Sequence, residues 1–214
     1  MKKGMTEMVF VIDRSGSMTG LESDTIGGFN STIKRQKEEE GEAKVTTILF
    51  DNRYEVLHDR FDLNQIGEMT EHEYYTRGTT ALLDALGRAI RKTVNVQRHL
   101  PEEERAENVV FVVITDGYEN ASREYSYKDI RRMVKLEQEK YGWEFLFLGA
   151  NIDAVETAKS IGISEDRAAQ YHNDSIGHAV NFEALDEAIT TVRCNMKLTG
   201  GWKKKIENDY KSRS

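Results

Sequence analysis

Residues 8–18 read MVFVIDRSGSM, five apolar residues running straight into an aspartate and then two serines on alternate positions. An unbroken apolar run rich in β-branched residues suits a strand covered on both faces. A second run of the same character, VVFVVI at 109–114, ends in Thr115 and Asp116. A sheet buried on both sides requires helices above and below it, and the segments between the runs supply them. Ile26, Phe29 and Ile33 share one helical face, as do Leu82, Leu83, Leu86, Ile90 and Val94, at spacings of three and four. Ile130, Met133 and Val134 mark a third helix, and Phe182, Leu185, Ile189, Val192 and Met196 a long last one.

Further strands are expected at 44–50, 54–59, 143–149 and, more weakly patterned, 167–171. Asp51, Asn52 and Arg53 join the first two of these. Asp and Asn tolerate tight turns, so 44–50 and 54–59 should form an antiparallel hairpin. Elsewhere strand and helix alternate, which predicts an open, mostly parallel, doubly wound α/β sheet with one antiparallel strand. In such sheets ligands bind beyond the carboxyl ends of the strands, where the strand order reverses. The chemically loaded residues should therefore follow strands, and they do.

At 214 residues, with a single proline (Pro101) and no linker-like stretch, the chain is expected to form one domain over residues 1–198. Residues 199–214 read as a basic, solvated tail. A net charge of -7 argues against nucleic acid as a partner. Cys194 is the only cysteine, so no intrachain disulfide exists; it is expected to be a small buried side chain. No apolar stretch reaches signal-peptide or membrane-spanning length, which predicts a cytoplasmic protein, monomeric when isolated.

Asp13, Ser15 and Ser17 bring three oxygen-bearing side chains to the end of the first strand, with Gly16 between the serines to permit a bend. Hard oxygen donors favour Mg²⁺, Mn²⁺ or Ca²⁺ over zinc. The competing reading is a polar turn whose serine caps a helix. Two distant stretches bear on the choice. TRGTTALLDAL at 76–86 sets two threonines before a helix, where either Thr79 or Thr80 would also serve as an ordinary N-cap. VVITDGYEN at 112–120 ends a strand in Asp116, which alone would be an ordinary Asp-Gly turn.

Together these stretches resemble a von Willebrand factor type A domain with an intact metal-ion-dependent adhesion site. Asp13, Ser15 and Ser17 match the family's Asp-x-Ser-x-Ser motif, GTTAL matches its threonine loop with Thr80 rather than Thr79 at the ligand position, and Asp116 matches its last aspartate. The resemblance implies a Rossmann-like, three-layer α/β/α sandwich around a six-stranded sheet with one antiparallel edge strand, here of the bacterial, intracellular type. It further implies direct metal contacts from Ser15, Ser17 and Thr80, with Asp13 and Asp116 acting through water or through hydrogen bonds to the serines. A cation with few anionic ligands stays electrophilic, and the resemblance implies that it accepts an Asp or Glu carboxylate from a partner protein, without enzymatic turnover.

Other residues around these motifs are expected to play lesser parts. Arg14 and Arg77 read as plain exposed charge, with the steering of an acidic partner as the alternative, His72, Tyr74 and Tyr75 as a contact rim or as packing, and Asp51, Glu119 and Asn120 as holders of bound water. Asn151 or Asp153 should cap the helix that follows. Two rival functions remain open: a Mg²⁺-dependent hydrolase or phosphatase, and a structural subunit that uses its metal for stability. The first lacks support from any G-x-S-x-G, Walker-type or His-Glu-x-x-His motif, and no histidine lies within the three stretches.

Overall fold

Alternation along the first strand divides the molecule into its layers. The structure is a computed structural model that describes residues 1–213. In β1 (Lys2–Asp13), Met8, Phe10 and Ile12 enter one core while Val9 and Val11 enter the other. β4 (Ala106–Thr115) repeats the pattern, with Val110, Val112 and Ile114 on the first side and Val109, Phe111 and Val113 on the second. Each strand is apolar on both faces because each face has a helical cover.

The first core is closed by α1 (Glu22–Gln36) and α5 (Ser175–Arg193), through Phe29, Ile33, Phe182, Leu185 and Ile189. The second is closed by α2 (Leu82–His99), α3 (Tyr127–Tyr141) and α4 (Ala154–Ser160), through Leu82, Leu86, Ile90, Ile130, Val134 and Ala158. Ser126 and Asp129 form a reciprocal capping box at the start of α3, and the Asp153 carboxylate accepts from Glu156 N–H to cap α4. Asp153, not Asn151, is therefore the cap; Asn151 instead takes a left-handed backbone (φ 53°).

The remaining strands are β2 (Ala43–Phe50), β3 (Tyr54–Asp62), β5 (Glu144–Ala150) and β6 (Ala168–Tyr171), and the sheet order is β3-β2-β1-β4-β5-β6. β3 alone runs antiparallel, as the hairpin reading predicts. The order reverses between β1 and β4, so the switch-point crevice lies where Asp13 and Asp116 leave the sheet. β3 is an open edge strand. Its pairing with β2 is interrupted by register shifts around Thr47, and Arg60 in it is left-handed (φ 52°), with its N–H donating to the Thr46 hydroxyl and its guanidinium to the buried Glu7.

Two expectations give way. Cys194 is exposed, just beyond the last turn of α5. Residues after 198 are not a solvated tail: a short 3-10 turn, Gly200–Lys203, leads into α6 (Lys204–Ser212), and Leu198, Trp202 and Ile206 join the first core. The basic composition hides a helix whose apolar face has only a few members: Lys205 points outward to Glu183 and Glu187, while Lys203, in the turn before the helix, is buried, donates to the Glu165 carbonyl and pairs with Glu207. No helix among the described residues is long and apolar enough to cross a membrane.

Trp202 is 7% exposed and its Nε1–H donates to the Asp166 carbonyl at 2.9 Å. Trp202→Ala should lower the unfolding free energy by about 3 kcal/mol, read as a fall in the urea midpoint; an unchanged midpoint would mean that the segment contributes nothing to the folded unit.

Candidate metal centre

The carboxylate of Asp13, fully buried at the end of β1, fixes the loop that follows. Its Oδ1 accepts from the Ser15 N–H at 2.7 Å and its Oδ2 from the Thr115 hydroxyl at 2.6 Å, so the exit of β1 is tied to the end of β4. The chain then curls into a 3-10 turn over Gly16–Met18. Ser15 makes no side-chain cap bond there, so the helix-cap reading of this serine does not hold. Both serines instead point the same way: Ser15 Oγ and Ser17 Oγ lie 3.1 Å apart.

Thr80 arrives from the loop before α2. Its hydroxyl donates to Ser15 Oγ at 2.9 Å, and the Ser17 hydroxyl donates to Asp116 Oδ1 at 2.5 Å. The structure therefore joins Thr80, Ser15, Ser17 and Asp116 in one hydrogen-bonded chain, with Asp13 held behind Ser15. Thr79 is exposed at the rim, while Thr80 is buried. Neither threonine caps α2; Leu83 N–H donates to Glu119 and Asp84 N–H to the Ser122 hydroxyl, both from the loop after β4. Asn120 completes the link, its Oδ1 accepting from Thr80 N–H and its own N–H donating to the Thr80 carbonyl.

Gly117 leaves room above these hydroxyls. A Cβ there would stand 2.9 Å from both Ser17 Oγ and Thr80 Oγ1, and 3.7 Å from Ser15 Oγ. That position is a cradle walled by three hydroxyl oxygens. Gly78 is needed for a different reason: it has φ 69°, and its carbonyl accepts the Gly16 N–H at 3.1 Å, stitching the threonine loop to the serine loop. The cradle opens into a depression of about 360 Å³ whose rim includes Thr79, Tyr118 and Asn120. No group of three or more His, Cys, Asp or Glu side chains among the described residues is placed to hold a metal. The hard-oxygen donors are instead mostly neutral hydroxyls, and they fit a hard divalent cation.

Burial raises the Asp13 carboxyl to about 6, and burial also pushes Asp116 upward. The Tyr171 hydroxyl, buried and without a hydrogen-bond partner among the described residues, is raised by burial and by the charges of Asp116 and Asp13. Asn173 reaches Asp116 Oδ2 at 3.4 Å.

Arg14 is a correction to the surface-charge expectation. It is fully buried, donating from Nε to Asp51 Oδ2 at 3.1 Å and from Nη2 to Glu55 at 2.5 Å. Arg77 also donates to Asp51 Oδ2, at 2.7 Å, and both guanidiniums lie over the ring of the exposed Tyr75. Asp51 is thus consumed by two arginines, and Glu119 by the start of α2, rather than by bound water. Tyr74 is buried and its hydroxyl donates to the Asp13 carbonyl, while His72 is exposed. The sequence reading gives Thr115, Gly117 and Asn173 no part in the site. Only the register that sets Ile12 beside Ile114, and hence Asp13 beside Thr115, would have exposed the first of them.

Residues 7–188 match the von Willebrand factor type A domain model. No curated protein matches the chain. Among solved structures the chain is similar to proximal thread matrix protein 1 from the mussel byssus with a zinc-occupied MIDAS motif (14% identity, TM-score 0.58, covering 87% of this chain and 46% of that one). It is also similar to a von Willebrand factor type A protein from Catenulispora acidiphila (14%, 0.56, 86% and 42%). A third likeness is to manganese-loaded TRAP protein of Plasmodium vivax (20%, 0.52, 70% and 58%). The chain spans about half the length of these structures, and at such identities the likeness establishes the fold. With the sheet order, the switch-point crevice and a match over most of its length in agreement, this chain belongs to the von Willebrand factor type A domain family.

Proposed function

We propose that the cradle holds a divalent cation, Mg²⁺ first among candidates and Mn²⁺ or Ca²⁺ after it, and that the held cation receives an Asp or Glu carboxylate from a partner protein. The observation that carries this reading is the convergence of Ser15, Ser17 and Thr80 hydroxyls around a position left open by Gly117. Cis oxygens around a six-coordinate Mg²⁺ lie about 2.9 Å apart, given metal–oxygen distances of about 2.05 Å. The hydroxyl spacings here are 2.9 and 3.1 Å. The zinc and manganese named for two of the similar structures support divalent binding in general.

Ser15, Ser17 and Thr80 would hold the cation through neutral oxygens, and the cation would supply Lewis acidity toward an incoming anion. Asp13 orients Ser15 through its backbone N–H, and Asp116 orients Ser17 by accepting its hydroxyl proton. Asp13 sits behind Ser15 while Asp116 lines the depression beside Ser17, and the two carboxylates would balance part of a held cation's charge. A binding module, not an enzyme, is the reading this arrangement favours: no histidine lines the depression, and the two carboxylates are engaged by hydroxyl and N–H donors. Cytoplasmic residence fits the single cysteine, which has no partner for a disulfide.

Calorimetric titration should show Mg²⁺ affinity falling by about tenfold or more in Asp13→Ala and Asp116→Ala, the size expected for groups that orient ligands. Thr80→Ala should weaken Mg²⁺ more than Thr79→Ala; the opposite order would move the ligand by one residue. A phosphatase and esterase screen in Mg²⁺ should show no turnover that Ser15→Ala abolishes, and such turnover would replace the binding reading with the hydrolase.

The raised Asp13 carboxyl gives a further expectation. The folded chain holds this proton up to about 6, whereas an unfolded aspartate releases it near 4, so without metal Asp13 makes stability fall as pH rises across that window. Melting temperatures measured in EDTA should decline from pH 4 to 6 by less in Asp13→Asn than in the unaltered protein. Mg²⁺ at neutral pH should raise the melting temperature of the unaltered protein only.

A further inference from the structure

The depression over the hydroxyls continues beyond its rim. Thr79 and Asn120 also line a second polar groove, of about 570 Å³, between the start of α2 and the loop after β4. Arg88 and Glu124 line that groove and carry it into a third hollow, of about 520 Å³, along the outer face of α2. The three hollows form one path leading away from the cradle.

Cations mark this path on a chain whose net charge is -7. Arg88 is paired with Glu124 and Lys92 with Asp59. Arg123 and Arg91 are exposed; neither guanidinium is in a hydrogen bond or salt bridge with a described residue, though Glu124, whose carboxyl is lowered chiefly by its hydrogen bond to Arg88, also feels the charge of Arg91. Arg123 lies beside the first turn of α2, since its backbone N–H donates to Asp84 at 2.8 Å. Arg91 is nine residues beyond Leu82 on the same helix. At about 1.5 Å of rise per residue it stands about 14 Å along the axis, a span that about four residues of extended peptide cover at about 3.3 Å each.

We propose that the partner's metal-binding carboxylate is the first acidic residue of an extended acidic segment, whose later carboxylates, within about the next four positions, pair with Arg123 and Arg91. This rests on the carboxylate-receptor reading of the cradle. Acidic peptide is favoured over nucleic acid because the path starts at the proposed cation site and offers only two guanidiniums outside salt bridges on an acidic protein.

The test uses three fluorescein-labelled Gly/Ser peptides of equal length. One carries a single Glu, one carries that Glu with further Glu residues two and four positions on, and one has Lys at those two positions. Binding is followed by anisotropy at low ionic strength, in MgCl₂ and in EDTA. The acidic peptide should bind the unaltered protein about fivefold more tightly than the single-Glu peptide, the sum expected of two exposed ion pairs, and added salt should shrink the difference. In the double variant Arg91→Glu/Arg123→Glu the ratio should collapse to about one or below, with the Lys peptide now preferred. A ratio of one in the unaltered protein, or one that survives the double substitution, overturns the acidic path while leaving the cradle reading intact. Arginine-dependent preference that persists in EDTA overturns the cradle reading and keeps the path. Failure of all three peptides in MgCl₂ removes both, and displacement of the acidic peptide by a short single-stranded RNA at equal concentration would reassign the path to nucleic acid.

Discussion

A single carboxylate joins the two halves of this sheet at the place where they diverge. Asp13 has no exposed surface, and its two oxygens are divided between the backbone of the loop it precedes and the hydroxyl that ends the neighbouring strand. A carboxylate in that position costs the fold something, which is why its proton affinity is raised. What the arrangement gains is position: with Ser15 N–H held from behind, the serine hydroxyls can only face outward. Remove the anchor and the three hydroxyls lose the common origin that makes them a set.

A second buried ionic group braces the other side. Arg14 and Asp51 are both fully buried, and around them the backbone is laced together, Arg14 N–H to the Phe50 carbonyl, Arg77 N–H to the Arg14 carbonyl and Ala81 N–H to the Asp51 carbonyl. Replacing a buried ion pair by apolar residues is often neutral or stabilising, so such a pair is poor evidence of stability gained. Its more telling property is direction. The pair locks the threonine loop to the ends of β1 and β2, and one guanidinium hydrogen-bonding atom, Arg14 Nη1, is left without a partner among the described residues.

Much of this was legible in the residues alone, for a physical reason. Strands covered on both faces announce themselves as apolar runs, and the switch-point rule then says where to look for polar side chains; that logic reaches Asp13, Ser15, Ser17, Thr80 and Asp116 without coordinates. It does not reach side chains whose part depends on which strands are neighbours. Arg14 looks like surface charge until Asp51 and Glu55 are known to lie beside it, and Thr115 looks like the tail of an apolar strand until β4 is paired with β1. The last helix is hard to read because a few apolar residues, Trp202 and Ile206 chief among them, are outnumbered by basic ones, most of them exposed and one, Lys203, itself buried. Composition averages over faces; packing does not.

The left-handed Arg60 in β3 has a consequence for how the domain behaves in a crowd. β3 is one of the sheet's two outer strands, and a flat outer strand is an invitation to stack with another chain. Here the ladder is broken by shifts near Thr47, and the arginine turns inward to Glu7 instead of lying along the rim. A second strand laid against it would lose register within a few residues. The same twist that lets Arg60 neutralise a buried acid thus serves as a guard against fibrous self-stacking.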